Sequence, residues 1–241
     1  MNKINLYLEK TEENIKNGVI ESYPFRHRSF QYFPIEFYNL LYNDLPSDEI
    51  YIKYSTPFPD NSYPDRYRII LNNNKEINQM IFGSNSLWNN LIEWYYNSNI
   101  IDLYLDKYNI IKNDDLEYTL SIQLVRDYQN YQIQIHTDSA IRQITSLIYF
   151  PSLESDKNDG TIFFIDTIKN RKVKDSKEKF NFNEGFKEVK KFEYIPNLSI
   201  DFQVSSNSWH GVYPTKSKYR DSLQISILSN KKHKKIDLIN K

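Results

Sequence analysis

The sequence predicts a mainly β protein, a sandwich or barrel of short strands with flanking helices. Three observations predict it. From about residue 119 the apolar period changes from 3.6 to 2, and residues 119–124, 132–136 and 222–227 alternate strictly between apolar and polar. Turn signals separate further strand-like runs at 143–150, 161–166, 187–194 and 198–204. Before residue 119 the periodicity is largely helical. The 241 residues show no internal repeat and no dividing linker, so they read as one domain. It has a helical N-terminal part (1–118), a strand-rich core (119–229) and a basic tail (230–241).

Two helices carry the clearest signals. Residues 34–45 place Phe37, Leu40, Leu41 and Leu45 at helical spacing, with Pro34 suited to a first turn and Pro46 as the stop. Residues 86–96 open on Ser86, a good N-cap, and align Leu87, Leu91, Trp94 and Tyr95 in one stripe. Residues 99–108 extend as a further short helix. Residues 56–64 form a proline-rich loop and 67–71 a strand. The stretches 152–159 and 167–185 are surface insertions, the second rich in Lys and Asn. The loops 56–64 and 169–179 read equally well as a lid and as plain solvated loops.

Composition excludes several classes. Lys+Arg and Asp+Glu both number 31, so no global charge favours nucleic acid or an anionic membrane as partner. The basic run 231–235 reads as a solvated terminus. The chain has no cysteine, which removes disulfides, thiolate zinc sites and a thiol nucleophile. No window approaches the ~18 apolar residues of a membrane span, and the N-terminus lacks a signal-peptide core. The expectation is a cytoplasmic protein, with no signal for an oligomeric state.

Alternation also assigns faces. Side chains at i and i+2 share a face of a strand. His136 therefore lies with Gln132 and Gln134, opposite Ile133 and Ile135. Arg220 lies with Ser222, Gln224 and Ser226, opposite Leu223, Ile225 and Ile227. In both strands the polar face carries the candidate chemistry. The aliphatic face is expected to be covered by the N-terminal helices. A half-buried sheet with a solvated polar face accounts for the alternation, but not for a His, an Asp and an Arg placed on it.

His136 and Asp138 form a His-x-Asp pair at a strand end, where both side chains project the same way. Alone it is a weak motif. His210 lies in Ser208-Trp-His-Gly211, after a strand and before a tight glycine. Two imidazoles and one carboxylate with open positions suit non-haem iron(II) and oxygen chemistry. The plain alternative is a surface or satisfied core histidine, the reading assigned to His27 and His233. Arg220 supplies a forked guanidinium for a carboxylate, and Ser222 a hydroxyl beside it. The alternative for Arg220 is a surface ion pair with Asp221 or Glu184.

His136-x-Asp138, His210 before Gly211, and Arg220-x-Ser222 on a last alternating strand together resemble the Fe(II)/2-oxoglutarate-dependent oxygenase superfamily. The order is similar to its prolyl-hydroxylase-like branch, strongly over 119–229 and loosely over 1–118. The resemblance implies a double-stranded β-helix, a cupin-like jelly-roll core, packed against the N-terminal helices. Arg220 stands where prolyl hydroxylases proper often carry lysine. The usual Gly-Gly is reduced to Asp159-Gly160-Thr161. Asp138 argues against a halogenase variant, which has a small residue there.

The resemblance further implies Fe(II) on His136, Asp138 and His210, with 2-oxoglutarate and O2 at the remaining positions. The distal cosubstrate carboxylate would meet Arg220 and Ser222, with Tyr149 a further contact and Tyr131 and Tyr128 weaker ones near the mouth. Gln123, Gln134 and Trp209 are the expected substrate-pocket residues, and glutamines Gln123, Gln132 and Gln134, if they line the pocket, favour a polar substrate, small-molecule or peptidyl. The implied reaction hydroxylates an unactivated C–H bond and releases succinate and CO2. Two readings compete with it: a cupin-like metal- or sugar-binding module without oxygenase activity, and an interaction domain with a degenerate site.

Overall fold

The computed structural model describes residues 3–54, 65–168 and 179–231. The expected loop 56–64, most of the Lys-rich stretch 169–179, and the tail from 232 with His233 lie outside the described residues. In chain order the elements are α1 (Lys3–Asn17), β1 (His27–Gln31), α2 (Ile35–Asn43), β2 (Ile52–Lys53), β3 (Arg66–Leu71), α3 (Lys75–Phe82), α4 (Leu87–Asn97) and α5 (Ile100–Lys107). There follow β4 (Tyr118–Tyr128), β5 (Ile133–His136), β6 (Arg142–Tyr149), β7 (Ile162–Asp166), β8 (Phe186–Lys191), β9 (Leu198–Gln203), β10 (His210–Val212) and β11 (Tyr219–Ser229).

The strands form two antiparallel sheets. The large one has seven strands in the order β1-β9-β6-β11-β4-β3-β2, and the small one four, β5-β10-β7-β8. The helices pack on one face of the large sheet. There Trp88, Leu91, Ile92, Tyr95, Tyr104 and Leu105 meet Ile122, Leu124, Ile144, Ile148, Leu223, Ile225 and Ile227 in one cluster. Each such burial contributes about 1.5–3 kcal/mol before entropy is counted. This is the aliphatic face of β11, covered by helices as the alternation predicts. The opposite face of the large sheet looks toward the small sheet. Between them Leu147, Tyr149, Phe163, Phe192, Tyr194, Ile200 and Phe202 form a second cluster.

The expected elements differ in detail. Ser86 caps α4, its Oγ accepting the Trp88 N–H at 3.1 Å. The buried stripe of α4 is Trp88, Leu91, Ile92 and Tyr95, rotated from the expected one so that Leu87 and Trp94 are only partly buried. In α2, Leu40 faces solvent and Tyr38 takes its place in the core. The first 118 residues supply more than helices: β1, β2 and β3 extend the large sheet at both edges. The aliphatic side of β5 is not covered by helices. Ile135 packs instead with Ile162, Phe164, Phe180 and Trp209 on the outer face of the small sheet, and Ile135 and Phe180 exchange backbone bonds of 3.0 and 2.8 Å.

Candidate metal centre

His136 ends β5 and lies directly across from His210 at the start of β10. Their ring centroids are 4.3 Å apart. Each ring is held by the backbone two residues before it. His136 Nδ1 is 2.8 Å from the Gln134 carbonyl, and His210 Nδ1 is 3.0 Å from the Ser208 carbonyl. A carbonyl only accepts, so both Nδ1 atoms carry the proton and both Nε2 lone pairs are left for a metal. Asp138, two residues beyond β5, is held at both oxygens. Thr145 Oγ1 donates to Oδ2 at 2.6 Å, and Arg142 donates to Oδ1 at 3.0 Å. Ligand atoms of His136, Asp138 and His210 all lie within 4.8 Å of one another. Among the described residues no other set of His, Asp or Glu side chains converges so closely.

The electrostatics suit coordination. Burial and the neighbouring His210 pull His136 down to about 3, so it is neutral and ready to bind a cation. Burial alone would raise Asp138. Arg142, the two histidines and Thr145 outweigh it and hold the carboxyl well below its usual range, so it is ionised. Two imidazoles and one carboxylate, with no thiolate, fit a divalent iron in a three-ligand site with open positions.

Arg220 is 2% exposed and does not reach solvent. It lies across from Asp127 on β4 and bonds it at 3.0 Å. Its Nε donates to the Asp159 carbonyl at 2.7 Å and its Nη2 to Thr161 Oγ1 at 3.3 Å. The guanidinium lies 5.3 Å from the centre of the Tyr149 ring. The Tyr149 hydroxyl donates to Thr161 Oγ1 at 2.7 Å and accepts the Thr161 N–H at 2.8 Å. Neither Asp221 nor Glu184 bonds this arginine; Asp221 points to the helix face and pairs with Arg126. Ser222 is fully buried across from Tyr149 and accepts from Gln224 at 3.3 Å. Gln224 in turn accepts from Gln123, which accepts from Arg68, both at 3.3 Å. A polar ladder, Arg68–Gln123–Gln224–Ser222, thus crosses the inner face of the large sheet.

Register connects this end to the triad. Thr145, which holds Asp138, shares its face of β6 with Leu147 and Tyr149, and Tyr149 leads to Ser222 and Arg220 on β11. Four expected site residues sit elsewhere. Trp209 follows the opposite face of its strand from His210 and packs on Phe180 and Phe186, outside the small sheet. Gln134 is engaged in an exposed bond, donating to Asn181 at 2.7 Å. Tyr131 is buried beneath Arg66, 4.6 Å from guanidinium to ring centre, and not at a mouth. Tyr128 lies on the other face of β4, against Tyr67 and Tyr219. Asp127, Arg66, Thr161, Thr145 and Arg142 are the partners that sequence reasoning did not assign to the site. A strand reading continued through Asp127 would have placed it on the face of Gln123; that it stands level with Arg220 follows only from the pairing of β4 with β11.

No family model and no curated protein matches the chain. Solved structures do. A Pseudomonas putida prolyl-4-hydroxylase aligns over 92% of this chain and 98% of its own, with TM-score 0.53 and 9% identity. A prolyl hydroxylase from Trichoplax adhaerens, solved with a hypoxia inducible factor oxygen degradation domain peptide fragment, covers 95% and 94% with TM-score 0.53 and 13% identity. The non-haem α-ketoglutarate-dependent epimerase of nogalamycin biosynthesis covers 92% and 82% with TM-score 0.50 and 9% identity. The chain therefore has the double-stranded β-helix fold of the 2-oxoglutarate/Fe(II) oxygenases, and it carries a His-x-Asp…His triad in that fold. No helix among the described residues is long and apolar enough to cross a membrane.

Proposed function

We propose that this chain is an Fe(II)- and 2-oxoglutarate-dependent dioxygenase. Its substrate is a polar small molecule or a residue side chain, hydroxylated at an unactivated C–H bond with release of succinate and CO2. The observation that carries the reading is the convergence of His136, Asp138 and His210, the two histidines on the small sheet, together with buried Arg220 on the inner face of the large sheet opposite. A fold alone does not specify chemistry. A metal-binding module would need the triad but not a buried guanidinium on the inner face of the facing sheet.

When bound, iron(II) and 2-oxoglutarate supply the activation of O2 and the oxidative decarboxylation that drives the hydroxylation. The chain supplies placement. The Gln134 and Ser208 carbonyls fix the imidazole tautomers, and Thr145 and Arg142 fix the carboxylate. Arg220, pinned by Asp127, Asp159 and Thr161, offers its charge to the distal carboxylate of the cosubstrate, with Ser222 and Tyr149 beside it. Leu147, Phe163 and Phe202 keep water from the space between the sheets. The Gln123–Gln224 pair presents amide groups to a polar substrate.

The test is Fe(II)-dependent conversion of 2-oxoglutarate to succinate by the purified protein. The expected result is turnover that requires iron and is lost in His136→Ala and Arg220→Gln. Turnover that persists without His136 would remove the proposal.

A further inference from the structure

Arg66 on β3, Asp127 on β4 and Arg220 on β11 occupy one row across three neighbouring strands, all on the inner face. Arg66 grips Asp127 with two bonds, Nε to Oδ1 at 2.6 Å and Nη2 to Oδ2 at 2.9 Å. Asp127 is fully buried and shares Oδ2 with Arg220 at 3.0 Å. The other hydrogen-bond partners of Arg220, the Asp159 carbonyl and the Thr161 hydroxyl, are neutral. Counted over these three side chains alone, two guanidiniums share one carboxylate, with Asp127 and Arg220 buried and Arg66 partly exposed. Such an excess of positive charge is unfavourable until an anion closes it. One carboxylate closes it.

A single arginine would carry the same excess, so the added pair needs a reason. Asp127 fixes the fork of Arg220, but by itself it would also neutralise that arginine and repel an arriving carboxylate. Arg66, gripping both oxygens of Asp127, takes up the aspartate charge. We infer that Arg66 is a positioning residue for the cosubstrate anchor: by occupying Asp127 it keeps the charge of Arg220 available for the distal carboxylate of a dicarboxylate ligand. This rests on the proposed reading of Arg220 as that anchor. Arg66 acts through Asp127 and need not touch the ligand.

The test is calorimetric titration of 2-oxoglutarate into the Mn(II)-loaded protein, with thermal melting to monitor the fold. Arg66→Gln is expected to weaken binding about tenfold or more, since the anchor becomes self-neutral. Arg66→Lys, which keeps the charge, is expected to lose much less. The decisive variant is R66Q/D127N, which leaves Arg220 as a lone cation and is expected to recover most of the lost affinity. A purely structural Arg66 predicts the reverse, with the double variant binding no better than R66Q. That result, or unchanged binding in R66Q, overturns the inference while leaving the oxygenase reading intact. A wild-type protein that holds Mn(II) but takes up no 2-oxoglutarate removes both.

Discussion

Asp127 and Arg220 face each other across β4 and β11, and the next pair along, Arg126 and Asp221, repeats the contact with the signs exchanged on the opposite face. Successive residues of a strand point to opposite sides, so Arg126-Asp127 opposite Arg220-Asp221 makes one ion pair per face. The inner pair lies at the candidate cosubstrate end. The outer pair lies under the helices, where Asp48 gives Arg126 a second carboxylate.

The two pairs should respond differently to loss of the acid. Asp127→Ala leaves Arg66 and Arg220 without their shared anion and is expected to cost about 3–5 kcal/mol. Asp221→Ala leaves Arg126 with Asp48 and is expected to cost less. Denaturant unfolding of the two variants measures the difference, and equal losses would contradict the assignment.

Thr145→Val removes the bond to Asp138 Oδ2 while keeping the shape of the side chain. The carboxylate stays tethered by Arg142 but loses its orientation. Metal affinity is expected to fall about 10- to 100-fold with little change in melting temperature of the metal-free protein. Mn(II) titration of wild type and variant checks this.

Gly160 joins the two residues that steady Arg220 from below, Asp159 and Thr161. A Cβ there would stand 1.8 Å from the Phe192 carbonyl oxygen, a contact no side chain can make. Gly160→Ala must push this segment away from Phe192, the residue after β8, and take the Asp159 carbonyl and Thr161 hydroxyl with it. The expected outcome is lower stability together with weaker 2-oxoglutarate binding, whereas an ordinary packing defect lowers stability alone.

Much of this arrangement is legible in the sequence, and the gaps have physical causes. The triad was readable because His136, Asp138 and His210 sit at strand ends flagged by alternation and by Gly211. Asp127 was missed because Val125-Arg126-Asp127 breaks the apolar–polar alternation that defines a strand, although β4 runs on to Tyr128. Its pairing needs the register of β11, which sequence does not state. Arg66 comes from an edge strand outside the core segment. Trp209 adjoins His210 in sequence, but adjacent strand residues point apart, and it packs on Phe180 and Phe186 outside the small sheet. Helix α1 escaped notice because only Tyr7, Leu8, Thr11 and Ile15 of its fifteen residues are buried.

Acid should destabilise the metal-free protein through His136. Its folded value of about 3 lies below the ordinary value of about 6.5 for a free imidazole. The unfolded chain therefore binds the proton first. Stability is complete above about pH 6.5 and falls as pH drops toward 3, where the folded form also protonates. Melting temperatures measured across this range should decline in wild type and decline less steeply in His136→Ala. Equal slopes would contradict a buried neutral His136.

The central claim is that His136, Asp138 and His210 hold one iron(II) with room for a chelating 2-oxo acid. Anaerobic addition of Fe(II) and then 2-oxoglutarate, followed by visible absorption, tests it most directly. The account predicts a weak metal-to-ligand charge-transfer band that needs both additions and disappears in Asp138→Ala. A wild-type protein that shows no band, or an Asp138→Ala variant that keeps it, would contradict the account.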